Sequence, residues 1–370
     1  MKTLRRRRPC LAAGIAITAL LLAGCGAANE PPSGGGGATG EATVSGTIAG
    51  AGASSQAAAM EAWIAGFTGE NPGATINYDP SGSGAGRDQF IGGGVAFAGS
   101  DAYLDAEELP QAQQRCGGPD SVVEVPVYIS PIAVIYNLPE VADLQLAPAT
   151  IAKIFNRQIT KWNDPAIQQD NPGKTLPDVA ITPVNRSDES GTTENFTEYL
   201  VAAGGSDWPH EASGDWPVPG GEAAQGTSGV VGAVQAGNGT IGYADASQAG
   251  QLGKVKVKVG AEYVGPTAEG AAAVVESSER VPGQGQNSFA VALARDTTDP
   301  THYPLVLVSY DLACTTYPDA DTANLVKAFL GYVVSQPGQE AAAKAAGSAP
   351  ISDSQRSSFQ PAIDSIRAAG

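Results

Sequence analysis

The sequence is poorest in the groups that carry metal and acyl-transfer chemistry. It has two histidines, His210 and His302, so no HExxH zinc helix can be written. No GxSxG elbow occurs, which removes the setting of an α/β-hydrolase serine. The four cysteines form no CxxC pair and have no histidine neighbour. Gly173-Lys174-Thr175 imitates the end of a P-loop, but Gln168 stands where that motif needs glycine. Glu107-Glu108 lies in a polar run and reads as a solvated face rather than an acid/base pair. No internal repeat is visible. Positive charge is also scarce, with 21 basic against 38 acidic residues and a net charge of −17.

Five of the positive charges, Lys2 and Arg5 to Arg8, precede an apolar run from Leu11 to Ala23 that is too short to span a membrane. Leu22-Ala23-Gly24-Cys25 closes that run and resembles the lipobox of bacterial lipoproteins. The resemblance implies a signal peptide over 1–24, cleavage before Cys25 and lipidation (palmitate) of that cysteine. Residues 25–42, rich in Ala, Gly, Pro and Ser, read as a flexible tether. Removing the five charges leaves 16 basic and 38 acidic residues, a net charge of −22. Such a surface argues against nucleic acid and anionic lipid as partners. It also means that any anion site must rest on local dipoles, distant charge being screened within about 8–10 Å. With Cys10 in the signal and Cys25 lipidated, Cys116 and Cys314 remain, and export favours a disulfide between them. A mature chain of about 330 residues exceeds one ordinary core, which predicts two lobes.

What the mature chain has in quantity is one repeated device: a strand, then a Gly/Ser/Thr turn, then a helix. Gly50-Ala51-Gly52-Ala53-Ser54-Ser55 leads into a helical pattern with Met60, Trp63, Ile64 and Phe67 on one face. Ser81-Gly82-Ser83-Gly84-Ala85-Gly86 leads into a second helix, and Gly99-Ser100-Asp101 follows a short strand. Alternation of this kind predicts an α/β fold with a parallel sheet, whose ligands gather beyond the carboxyl ends of its strands. Val122 to Ile135 is a long β-rich stretch with Pro126 and Pro131, suited to crossing between lobes.

The stretch from Val184 to Phe196 is the most specific example. Ser187, Asp188, Ser190 and Thr192 are N-cap types, and Phe196, Tyr199 and Leu200 recur at helical spacing after them. A helix N-terminus offers free N–H groups and partial positive charge to an anion. Arg186, just upstream, adds a planar fork of donors that suits a tetrahedral oxyanion. Taken alone, the stretch equally fits a capped surface helix with a solvated arginine.

The first three loops and Arg186-Ser187-Asp188-Glu189-Ser190-Gly191-Thr192 together resemble the four ligand-contacting segments of the Pst-type phosphate-binding proteins that serve ABC phosphate importers. Trp162-Asn163-Asp164-Pro165, Asn171-Pro172-Gly173 with Leu176-Pro177, and Ile241-Gly242-Tyr243 match in the same order, so the resemblance covers nearly the whole mature chain. It implies a class II-like periplasmic-binding fold, with 43–126 and 300–370 as one lobe, 127–299 as the other, and the ligand in the cleft between them. Ser54, Ser55, Ser83, Arg186, Ser190, Gly191 and Thr192 would donate to phosphate, Asp101 would accept from it, and Asp188 would orient Arg186. No cofactor, no metal and no catalytic residue is implied; the partners are inorganic phosphate and a membrane permease, and the protein is expected to be a monomer.

Asp101 would set the specificity. A carboxylate beside an anion is costly unless the anion has a proton to share. HPO4²⁻ and H2PO4⁻ have one, whereas sulfate at neutral pH does not, so sulfate would leave charge unpaired. Arsenate and phosphonates are not separated by this logic, and a serine-dependent phosphatase, a sensor or an adhesin on the same scaffold stay open. The sequence departs from the family pattern twice. Ser55 stands where an aromatic or aliphatic residue is common, and Glu189 stands where glycine is usual, an acid close to the expected anion.

Overall fold

A computed structural model describes residues 43–370, so the expected signal peptide, tether and lipidated Cys25 lie outside the described residues. The chain is organised on one mixed sheet. Its main strands are β1 (Gly46–Gly52), β2 (Ala74–Asp79), β3 (Phe97–Ser100), β4 (Val122–Asn137), β5 (Thr182–Arg186), β6 (Glu222–Ala224), β7 (Thr240–Asp245) and β8 (Val306–Cys314). Their order is β2-β1-β3-β8-β4-β7-β5-β6, with Gly253–Lys254 pairing beside β4. The two ends of the sheet are parallel, as the sequence predicts, but the centre is not. There β8 runs antiparallel to both β3 and β4, and β4 runs antiparallel to β7. The β-rich Val122 to Ile135 stretch lies within a single strand that runs through both prolines.

That strand links the two halves of the sheet. Residues 122–131 of β4 pair with β8, and 132–137 pair with β7. Buried along all but its last residue, β4 is a near-continuous apolar run, as expected of a strand covered on both faces. The ladder with β8 slips by one residue between Ser309 and Tyr310, which face Tyr128 and Pro126. Pro126 has no N–H to donate, so an irregular ladder position accommodates it.

Helices cover the sheet. In α1 (Ala57–Glu70) the buried residues Ala59, Met60, Trp63 and Phe67 face the core at helical spacing. The Trp63 indole also donates to the Gly338 carbonyl at 2.9 Å, tying α1 to the C-terminal helices. α2 (Ser83–Ile91) and α3 (Glu108–Cys116) follow β2 and β3; α4 (Gly191–Gly204) and α5 (Gly226–Ala236) follow β5 and β6. Cys116, the last residue of α3, is bonded to Cys314 at the end of β8 across a sequence separation of 198, as predicted. Among the described residues no helix is long and apolar enough to cross a membrane.

Candidate anion-binding site

The expected ligand loops all come from the carboxyl ends of strands. Ser54 and Ser55 follow β1, Asp101 follows β3, and Arg186 is the last residue of β5. Ser83 is the first residue of α2, and Ser190 caps α4, its hydroxyl accepting from the Thr193 N–H at 3.3 Å. Capping leaves other first-turn N–H groups of α4 free to face a ligand.

Asp101 is the point on which the loops converge. It is 3% exposed. The Ser55 hydroxyl lies 2.7 Å from both of its carboxylate oxygens, and the Thr192 hydroxyl donates to Oδ2 at 2.9 Å. The Ser309 hydroxyl, from β8, donates to Oδ1. The Asp101 N–H donates to Ser83 Oγ at 3.2 Å, and its carbonyl accepts from Asn195 Nδ2 at 2.7 Å. Burial pushes the Asp101 carboxyl above the usual range, opposed by the Ser309, Ser55 and Thr192 hydroxyls and by the Arg186 charge.

Close approach of α4 to this group requires glycine. A Cβ at Gly191 would lie 2.7 Å from Asp101 Cβ and 2.8 Å from Ser83 Oγ, inside contact distance.

Arg186 is 4% exposed and is held by Asp188, which accepts from its Nε at 2.8 Å and from its Nη2. Asp188 also accepts from the Gly226 N–H at 3.0 Å, at the start of α5. Burial raises the Asp188 carboxyl, yet the hydrogen bonds and charge of Arg186 outweigh it and leave the group below its ordinary range. The pair fixes the guanidinium plane while leaving other N–H donors for a ligand. The orienting role expected of Asp188 therefore has a geometric basis. A Cβ built on Gly82 would lie 3.7 Å from Arg186 Nη2, which puts this guanidinium beside the loop that carries Ser83.

The Ser54 hydroxyl meets Thr227 Oγ1 at 3.0 Å and accepts from the Thr227 N–H at 3.1 Å. Gln248 Nε2 donates to the carbonyls of Ser54 and Ser55 at 2.9 and 3.0 Å. The β1 loop is thereby bonded to segments nearly two hundred residues away.

Among the described residues no three His, Cys, Asp or Glu side chains are placed to hold a metal ion. The assembled groups make a buried cradle of N–H, hydroxyl and guanidinium donors around one carboxylate. Comparison with known proteins agrees with this chemistry. Residues 37–337 match the PBP superfamily domain. The phosphate-binding protein PstS 3 of Mycobacterium leprae is 36% identical over 371 residues, spanning 96% of this chain and 98% of its own. The chain belongs to the Pst-type phosphate-binding proteins.

Within that family, the PstS 3 protein of Mycobacterium tuberculosis is 37% identical, over 95% of this chain and 96% of its own. Among solved structures, a DING protein superposes with a TM-score of 0.69 at 20% identity, over 85% of this chain and 93% of that one. A high-affinity periplasmic phosphate-binding protein solved with phosphate gives 0.68 at 22% identity with the same coverage. These identities establish the shared two-lobed fold.

Several residues that sequence reasoning missed also contact the candidate loops. Ser309 gives no local signal, being one hydroxyl within an apolar strand. Thr227 and Gln248 reach the β1 loop only through the tertiary arrangement. Tyr243, noticed only as part of a family match, bonds Thr193 Oγ1 at 2.8 Å and accepts from the Arg186 N–H at 3.3 Å, bracing the loop from behind.

Arg87 has a detectable signal, an arginine one helical turn after Ser83. Its Nε donates to Glu108 at 2.7 Å, Nη1 to Ser100 Oγ at 2.9 Å and Nη2 to Glu189 at 3.1 Å. Glu189, an acid expected close to the anion, is therefore paired with a cation rather than simply solvated.

Proposed function

We propose that this protein captures inorganic phosphate between its lobes and delivers it to the membrane subunits of an ABC permease. The observation that carries this reading is Asp101, a buried acceptor that takes hydroxyl donors from three distant parts of the chain, with Arg186 contributing positive charge. Ser54, Ser55, Ser83, Arg186, Ser190, Gly191 and Thr192 would donate to the phosphate oxygens. Asp101 would accept the ligand's proton. Residues 43–126 with 300–370 form one lobe in this reading and 127–299 the other, and closing them sequesters the ion from water, strengthening each charge-assisted bond.

The protein acts as a monomer, without chemistry, outside the cytoplasm, tethered through a lipid on Cys25. A phosphatase would need a serine activated by a base. The Ser54 and Ser190 hydroxyls bond Thr227 and the Thr193 N–H, and neither partner is a base. Calorimetric titration of the purified protein with phosphate and with sulfate at neutral pH tests the reading. Phosphate binding with sulfate rejected is the expected result, and absence of phosphate binding would refute it. Hydrolysis of an aryl phosphate that is lost in Ser190→Ala would instead establish an enzyme.

A further inference from the structure

Three hydroxyls from three distant parts of the chain donate to one carboxylate. A carboxylate offers about four acceptor positions across its two oxygens. Ser55 lies 2.7 Å from both oxygens of Asp101, Thr192 is 2.9 Å from Oδ2, and Ser309 is bonded to Oδ1. The three donors occupy three positions, and one remains.

Thr192 belongs to the α4 wall and departs with it when the cleft opens. Ser55 and Ser309 follow or lie within β1 and β8, on the same side of the sheet order as β3, and stay with Asp101. Ser309 owes its placement to the unbroken antiparallel ladder of β8 with β3. Tyr310 pairs with Ser100, the last residue of β3, so Ser309 comes level with Asp101 just beyond it.

Both serines are wholly buried, and an ordinary hydroxyl in such a position needs a partner. Their shared partner is Asp101. We propose that Ser55 and Ser309 are specificity-determining positioning residues, whose hydroxyls keep Asp101 an acceptor with one position open for the proton of the bound oxyanion. This rests on the phosphate reading above and deepens it.

Were Asp101 to take up a proton as the medium turns acidic, it would become a donor, and sulfate would no longer leave it unpaired. Two fixed donors oppose that change, since each bonds an ionised carboxylate more strongly than a neutral carboxyl. Ser55, one of the two departures from the family pattern, thus has a consequence: it extends sulfate rejection toward acid pH.

Other charged groups around Asp101 bear on any pH experiment. Arg186 favours its ionised form from across the cleft, and the Tyr78 phenol, raised well above its ordinary value by burial, stays neutral. Behind Asp101 lies a cavity of about 300 Å³ with Glu194, Glu198, Arg295 and Asp296 on its walls. The phenols of Tyr103 and Tyr310, also on that wall, are raised by burial and stay neutral. Glu194 is pushed up to about 7 by burial, so it gains a proton over the same range. That change, like phosphate's own protonation, acts alike in wild type and variants, so comparing each variant's ratio with that of wild type cancels it.

The test is calorimetric titration of the mature full chain and of Ser309→Ala, Ser55→Ala and Ser309→Thr with phosphate and with sulfate, at pH about 7.5 and about 5. Wild type should prefer phosphate strongly at both. In Ser309→Ala the phosphate-to-sulfate ratio should fall about tenfold further at the lower pH than at the higher, the equivalent of one pK unit. Ser55→Ala should move in the same direction, and Ser309→Thr, which keeps a hydroxyl, should behave as wild type. A ratio equal to wild type at both pH values would overturn the inference, as would a loss of equal size at both, which marks repacking. If thermal melting shows Ser309→Ala unfolded, Ser55→Ala alone decides by the same criteria. A wild type without phosphate binding would refute the underlying reading itself, whereas unchanged variants of a phosphate-binding wild type would refute only this inference.

Discussion

Glu189 meets Arg87 of α2 at 3.1 Å, its side chain turned toward this helix rather than toward Arg186 and the Asp101 cradle. Close packing makes this possible, since a Cβ at Gly84 would collide with Glu189 Oε2 and one at Gly214 with Oε1. Arg87 is nearly buried and also holds Glu108 at 2.7 Å. Its guanidinium is held well above its ordinary range: burial lowers it, but Glu189 and Glu108 together prevail. An acid that departs from the family pattern is thus neutralised by a cation, and the pair connects α2 to the segment just before α4.

Removing that cation should be felt twice. Arg87→Ala leaves Glu108 and Glu189 without a partner and takes positive charge from the cleft. Discounting buried-pair values for the partial exposure of the acids, stability should fall by about 2 kcal/mol. Phosphate affinity should fall with it. Urea denaturation and calorimetry measure the two, and unchanged values for both would contradict the role given to Arg87.

Gly191→Ala should separate binding from folding. Alanine suits the first turn of a helix, so unfolding free energy should stay within about 1 kcal/mol of wild type. The added Cβ would collide with Asp101 and Ser83 and hold the walls apart, costing at least about tenfold in phosphate affinity. Affinity within a factor of about two of wild type would show that the walls do not meet as described.

Asp101→Asn converts an acceptor into a group that can donate. The phosphate-to-sulfate ratio should fall by about thirtyfold, the worth of about 2 kcal/mol for one buried unpaired group. Competition titration of the two anions at neutral pH measures it, and an unaltered ratio would remove Asp101 from the specificity account.

Stability should decline as the pH rises from acid to neutral. Burial pushes Glu124 and Asp311 up to about 7, and Asp245 up to about 6. A folded value above the unfolded one means that the native state binds more protons in between. Stability is therefore fullest below about pH 4 and falls as pH rises to about 7. Asp311 gives the sharpest test, because neither of its oxygens has a donor and the neighbouring Gln56 Oε1 also lacks one. Asp311→Asn should raise the melting temperature at pH about 8 by roughly 2–4 °C and have little effect near pH 4. A gain of equal size at both would rule out the titration.

The Cys116–Cys314 bond closes a loop of 198 residues, so loop entropy alone predicts about 5 kcal/mol of stabilisation. The double variant Cys116→Ser/Cys314→Ser should unfold at correspondingly lower urea. Thiol counting on the denatured, unreduced protein should find neither cysteine free.

The ligand loops could be read in the sequence because each is a local event. Ser190 caps Thr193 three residues on, and Gly82 and Gly84 flank Ser83 within one turn. The parallel-sheet expectation failed at the centre for the opposite reason. Strand direction there depends on β8, which returns from the far end of the chain to pair with β3 and β4. Periodicity reports burial, not the direction of a distant partner. Glu189 was misjudged on similar grounds, since only the packing of α2 reveals Arg87 beside it.

The sequence by itself determined the donors: hydroxyls, an arginine and helix N-termini, placed by caps and turns whose hydrogen bonds span a few residues. Only the tertiary structure decided what surrounds Asp101. Its hydroxyl partners Ser55, Thr192 and Ser309 lie 46, 91 and 208 residues away. They meet through sheet register and helix close approach, both set by long-range packing and beyond the reach of any local pattern.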